Sequence, residues 1–201
     1  MAERPAGLIA GFDAGQTHTT CRLAALRSDG SWQMLSEGQG SGVTHLAAAG
    51  GAERFQQALR NGLKAALAAA QLDPTTSLKA AGIGASGIGP CMLPVDEAGN
   101  PLMNAVLYGV DTRAAQEIDD LTRDIGADTV LERCGNALTS QAVGPKILWL
   151  KRNRPEIFAR THKILNSSSF LVHRLTGRYT IDHYSAGNFS PFYLADRQAW
   201  S

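Results

Sequence analysis

Long blocks of one charge are missing from this 201-residue chain: 19 Lys and Arg stand against 18 Asp and Glu, for a formal net charge of +1. Without a basic stripe there is no electrostatic footprint for nucleic acid or an anionic membrane, so the expected partner is a small molecule. Cysteine is scarce as well. Cys21, Cys91 and Cys134 are odd in number, far apart and free of C-x-x-C spacing, which argues against a structural zinc and for reduced thiols in a cytoplasmic protein. The five histidines show no i, i+4 pair and no carboxylate in metal spacing, so a metal hydrolase has little support. Glu3, Arg4 and Pro5 interrupt the start before any secretory apolar region, and no run is long enough to span a bilayer. Internal repeats and low-complexity tracts are absent too. What is present is 44% apolar residues, enough to bury one sizeable core.

The hydrophobic pattern changes period along the chain. Leu8 to Asp13, Thr19 to Leu26 and Ser31 to Glu37 read as three antiparallel strands, with Arg27-Ser28-Asp29-Gly30 as the turn between the last two. Gln39 to Gly51 reads as a loop. Ala52 to Gln71 carries Phe55, Leu59, Leu63, Ala66, Leu67 and Ala70 at helical spacing, and Leu78 to Ala85 follows as a small-residue strand. The order is β-β-β-α-β. Cys91 to Val95 and Asn104 to Tyr108 then suggest a hairpin around Asp96 to Pro101. Thr112 to Ile125, Val143 to Lys151 and Ser167 to Leu175 are predicted helices. The expected fold class is α/β, a mixed sheet with a helical elaboration, and a single unit over residues 1–201 is preferred to two domains.

Few motifs survive comparison with their plainer explanations. Asp13-x-Gly15-x-Thr17 sits on the turn of the first hairpin, where a glycine lets backbone N–H groups approach a phosphate and Thr17 and Thr19 add hydroxyls. Asp13 alone suffices for a Mg²⁺ that keeps its waters; the plainer reading is an ordinary Asp-Gly turn. Gly82 to Gly87 matches G-x-G-x-x-G, yet Pro90 and another apolar run follow where a dinucleotide site needs a helix. Ser86 fails as a nucleophile elbow because Ile88 stands where glycine is required. Gly144-Pro145-Lys146 lacks the remainder of a P-loop, which leaves Lys146 expected on a helix surface. Asp111-Thr112-Arg113 admits two readings. Asp111 either caps the following helix, with Arg113 on the surface, or the pair orients hydroxyl groups of a ligand. Asp182, with Ser185 three residues on, reads as a cap.

From Gly82 to Ser201 the chain resembles the N-terminal domain of the FGGY carbohydrate kinases. The resemblance rests on Gly82 to Gly87, Pro101 to Arg113, Gly144-Pro145-Lys146-Ile147-Leu148-Trp149, Pro155 to Phe158, Ser168 to Leu171, and Leu175-Thr176-Gly177 followed by Asp182. Residues 7–80 are more similar to the start of the N-acetylglucosamine kinase and benzoyl-CoA reductase activator group, through Gly11 to Thr19 and Gly40 to Val43, and the change of resemblance implies a fusion point near Gly82. Both groups share the actin-like (ribonuclease H-like) fold. The resemblance implies ATP and Mg²⁺ as cofactors and a sugar or polyol as substrate. It implies phosphate binding by Asp13, Gly15, Gln16, Thr17 and Thr19, with Asp13 facing the metal. Gly89, Asp111, Arg113 and Ser140 are implied on the sugar side. Gly89 and Pro90 stand where xylulokinases present Met-His, which weakens a xylulose assignment.

The resemblance also implies a catalytic aspartate beyond residue 201, together with a C-terminal domain. The chain is therefore expected to be the N-terminal half of a carbohydrate kinase, inactive alone, with no catalytic residue of its own. Its partners would be the missing kinase half or a second copy. Two alternatives come with this reading: a non-catalytic sugar-binding or regulatory module, and an ATPase activator, for which the scattered cysteines are a poor fit.

Overall fold

Alternating burial along three successive strands starts the fold. In the computed structural model, which describes residues 7–15, 18–41, 51–70 and 80–201, β1 (Gly7–Ala14), β2 (His18–Leu26) and β3 (Trp32–Ser41) form the expected antiparallel meander. Leu8, Ala10, Phe12 and Ala14 of β1 are buried while their neighbours are not, as a pleat with one covered face requires. The turn into β3 closes on Gly30, whose φ of 82° lies in the left-handed region. β4 (Ala80–Gly87) adds to β1 in parallel, for a sheet order of β3-β2-β1-β4. Gly82 to Ala85 thus lie inside a strand as expected, and the strand runs two residues further, to Gly87.

The cover is α1 (Gly51–Ala69), whose Ala66 and Leu67 pack with Ala10, Phe12, Cys21 and Leu23. Its approach is unusually close. A Cβ at Gly38 would collide with the Gly62 carbonyl and the Ala66 amide, and one at Gly40 with the Ala58 carbonyl. This contact corrects the sequence reading: β3 runs on to Ser41 through residues expected in a loop, because glycines suit a strand where another backbone presses on it.

The chain divides into two compact units, Met1–Ile88 and Gly89–Ser201. In the second, β5 (Leu93–Val95) pairs antiparallel with β6 (Lys163–Leu165), a partner about seventy residues away that no local pattern announces. The expected hairpin survives only as single bridges, Met92 with Val106 and Val95 with Pro101. Around this pair lie α2 (Ala115–Ile125), α3 (Ala127–Cys134), α4 (Val143–Asn153), α5 (Pro155–Arg160), α6 (Ser167–Thr176) and α7 (His183–Gly187), followed by the short pair β7 (Tyr193–Leu194) and β8 (Ala199–Trp200). Met92, Val106, Val143, Leu150, Ile157, Ala186, Phe189 and Tyr193 form the main core, and Val130, Leu138 and Ala142 a smaller one. Asn166 caps α6 by accepting from the Ser169 N–H at 2.7 Å, a cap the sequence reading did not single out, and Asp182 caps α7 from the Ser185 N–H at 2.8 Å, as expected. Among the described residues no helix is long and apolar enough to cross a membrane.

Candidate functional site

Strand register builds the first candidate site. Asp13 stands opposite Thr20 on β2 and opposite Ser86 on β4, so three polar side chains form one row across the sheet face that α1 leaves uncovered. In the adjoining row Gly11 lies between Arg22 and Gly84. Neither glycine would meet anything within 4 Å if it carried a Cβ. The result is an open groove of about 400 Å³ lined by Asp13, Thr20, Arg22, Ser86 and the bare backbone of residues 11 and 84. Arg22 leans the other way, toward Glu37 at 2.6 Å, in an exposed pair.

The groove suits a hard divalent cation that keeps its waters: one exposed carboxylate with hydroxyl oxygens on either side. Among the described residues no cluster of three or more His, Cys, Asp or Glu offers a denser ligand set. Gly15 follows β1 at the mouth of the hairpin, while Gln16 and Thr17 lie outside the described residues. Thr19 does not join Asp13. It pairs with Ala14 on the covered face, is fully buried, and its hydroxyl has no hydrogen-bond partner among the described residues. The place beside Asp13 belongs to Thr20, and the sequence carried the signal: Thr19 is in phase with apolar Cys21, Leu23 and Ala25.

The second cluster comes from three separate stretches of the Gly89–Ser201 unit. The Asp111 carboxylate accepts from the Arg113 backbone N–H at 3.1 Å and from its guanidinium at 2.8 to 3.0 Å. Arg113 also lies 4.8 Å over the Trp149 ring of α4. The capping explanation therefore fails, since α2 begins at Ala115 with Ala114 before it and no side-chain cap. Burial pushes the Asp111 carboxyl up, but the hydrogen bonds and charge of Arg113, with the charge of Lys146 behind them, hold it below the usual carboxylate range.

Lys146 is the larger correction. It is 1% exposed rather than on a helix surface, and its Nζ donates to the Ser140 carbonyl at 2.7 Å. Burial lowers its pKa to about 8, against the attraction of Asp111. Ser140 thus enters through its main chain, and the same carbonyl accepts the Gly109 N–H at 3.4 Å. Gly89 sits against Tyr108, whose ring a Cβ would approach to 3.1 Å. The four residues expected on a sugar side, Gly89, Asp111, Arg113 and Ser140, therefore belong to one unit and cluster around the segment from Tyr108 to Arg113. The Asp13 groove belongs to the other unit.

Comparison with known proteins agrees with this architecture. Residues 8–201 match the family model described as "FGGY family of carbohydrate kinases, N-terminal domain", so the match takes in β1 as well as the later segments. The xylulose kinase of Haemophilus influenzae is 31% identical over 147 residues, covering 73% of this chain and 29% of that protein. The L-fuculokinase of Escherichia coli K12 is 36% identical over 93 residues, covering 46% of this chain and 20% of that protein. The crystal structure of xylulose kinase from Rhodospirillum rubrum superposes with a TM-score of 0.78 at 19% identity, over 96% of this chain and 39% of that one. That likeness shows the actin-like fold. The chain spans less than a third of the length of the curated relatives it matches.

Proposed function

This chain belongs to the FGGY family of carbohydrate kinases, and from that premise we propose that it supplies the N-terminal-domain contacts for transfer of the γ-phosphoryl of ATP to a sugar or polyol hydroxyl. The observation that carries the proposal is the row of Thr20, Asp13 and Ser86 over bare glycine backbone, an oxygen-rich trough into which a polyphosphate fits without meeting a side-chain wall. Asp13 orients a hydrated metal, Thr20 and Ser86 offer hydroxyls to phosphate oxygens, and Gly15 follows β1 beside them; Gln16 and Thr17, which lie outside the described residues, complete the proposed phosphate-binding set. Bound Mg²⁺ would neutralise charge on the phosphates. Asp111 and Arg113, already paired, present fixed acceptor and donor atoms to sugar hydroxyls, with Gly89 keeping the approach beside Tyr108 low and Ser140 bracing the segment from behind.

The group that takes the proton from the attacking hydroxyl is not assigned to any of these 201 residues; the Asp182 carboxylate is occupied as a helix cap. Phosphoryl transfer depends on positioning and electrostatics from both walls of a cleft, so these residues on their own bind without turning over. The test is ADP release by the purified chain with Mg-ATP and a panel holding D-xylulose, L-fuculose and glycerol, alongside a Mg-ATP binding titration. The expected result is weak Mg-ATP binding that Asp13→Ala removes, and no sugar-dependent ADP. Sugar-dependent ADP release that disappears in Asp13→Ala would show that the chain carries a complete catalytic set. Binding unaffected by Asp13→Ala would remove the groove from the reading.

A further inference from the structure

Lysine is almost never fully buried unless something compensates its charge, yet Lys146 is 1% exposed on the second turn of α4. An apolar side chain of the same length would fill that space without the cost of removing an ammonium from water. What the ammonium reaches is specific. Its Nζ donates to the Ser140 carbonyl at 2.7 Å, and that carbonyl also takes the Gly109 N–H. Gly109 stands two residues before Asp111. Of the charges around Nζ, the Asp111 carboxylate favours the cation and the Arg113 guanidinium opposes it; the Cys91 thiol nearby stays neutral, because burial raises its pKa to about 11. Lys146 therefore touches the Asp111–Arg113 segment in two ways: through the shared carbonyl, which ties residue 109 to residue 140, and through charge on the buried side of Asp111.

We infer that Lys146 is a positioning residue for the sugar side of the site, holding the segment from Gly109 to Arg113 in place through the Ser140 carbonyl. The sugar-binding part of this inference rests on the function proposed above; the hold on the segment does not. A charge-assisted hydrogen bond is shorter and stronger than a neutral one, so a lysine fixes the carbonyl more firmly than an uncharged donor would. Because Asp111 and Arg113 act as a unit, a shift in the backbone between residues 109 and 113 displaces both groups at once. A misplacement of about 1 Å at such a site is costly to affinity and rate.

The experiment compares the 201-residue chain with its Lys146→Met and Lys146→Arg variants by NMR and by sugar titration. In Lys146→Met, the Gly109 amide should exchange about tenfold faster and the Asp111 carboxyl should titrate at higher pH. Affinity for any sugar that binds the parent chain should fall about tenfold, with Mg-ATP affinity unchanged. Lys146→Arg, which keeps the charge, should return the Asp111 titration toward that of the parent. Should Lys146→Met fail to fold, the parent chain supplies the same perturbation. Raising the pH through 8 neutralises the amine in place, and the Asp111 signal and the Gly109 protection, corrected for base catalysis, should move with one midpoint. Unmoved Asp111 and Gly109 signals in the folded variant, or in that titration, overturn the inference whatever the sugars do. If both signals move while no sugar binds the parent chain, the hold of Lys146 on the segment is supported and the reading of this cluster as a sugar site fails.

Discussion

The two units build polar sites by opposite routes. On Met1–Ile88 the groove is a product of strand register: Thr20, Asp13 and Ser86 align because their strands pair, and the space beside them exists because residues 11 and 84 have no side chain. On Gly89–Ser201 the cluster is gathered from separate stretches, Asp111 on one and Ser140 with Lys146 on another, and held by a buried charge. The first arrangement is open and lightly bonded, suited to a ligand that brings its own charge. The second is already paired internally, suited to reading hydroxyl geometry. One consequence is that packing changes should dominate in the first unit, and changes of protonation in the second.

Substitutions can break that contrast. Gly38→Val places two methyl groups where α1 backbone already sits, and neither the Gly62 carbonyl nor the Ala66 amide can move aside. The expected destabilisation is about 3 kcal/mol or more, read as loss of cooperative unfolding of the sheet in chemical denaturation. Full retention of stability would mean that the helix does not lie so close to β3.

The buried charge gives the opposite kind of signature, a dependence on pH. Burial holds Lys146 at a pKa of about 8, below the usual lysine value of 10.5. Below pH 8 it is charged in both states and folding bears the full desolvation cost. From pH 8 upward the unfolded chain keeps a proton that the folded one has released, so stability rises by about 1 to 1.5 kcal/mol per pH unit. Cys21 and Cys91 work in the other direction: burial raises each thiol from 9.0 to about 11. Above pH 9 the unfolded chain loses thiol protons that the folded chain retains, and stability falls. From these three groups, urea unfolding should show a maximum near pH 9, and Lys146→Met should remove the rise that precedes it.

Smaller effects sharpen the picture. Asn166→Ala removes the buried cap of α6 and should cost about 1 kcal/mol, seen as a lower urea midpoint with an unchanged slope. Arg22→Ala should leave the melting temperature unchanged, because its pair with Glu37 is exposed on both sides. The same variant weakening Mg-ATP binding would add Arg22 to the groove's working residues and separate its binding role from any stabilising one.

Much of the fold could be read in advance because its signals are local. Alternation in β1 and β2, the turn at Gly30, the helical spacing in α1 and the cap at Asp182 each act within a few residues. The sequence reading missed β6, whose three residues become a strand only by meeting Leu93 to Val95. It placed Lys146 on a surface because helical spacing does not say which faces other segments will cover. It left Asp111 between cap and ligand contact, and that question turned on where α2 begins. Thr20 was overlooked in favour of Thr19, although the phase of Cys21, Leu23 and Ala25 separates the two.

By itself, the sequence determined the α/β class, the β-β-β-α-β start, the carboxylate at the first hairpin and the family to which these motifs belong, since periodicity, turn chemistry and short motifs are properties of neighbouring residues. Tertiary structure alone decided that Ser86 stands beside Asp13, that Ser140 contributes a carbonyl, and that Lys146 is buried behind Asp111. Those outcomes depend on register and on long-range packing, where the environment of a side chain is set by segments that no window of sequence contains.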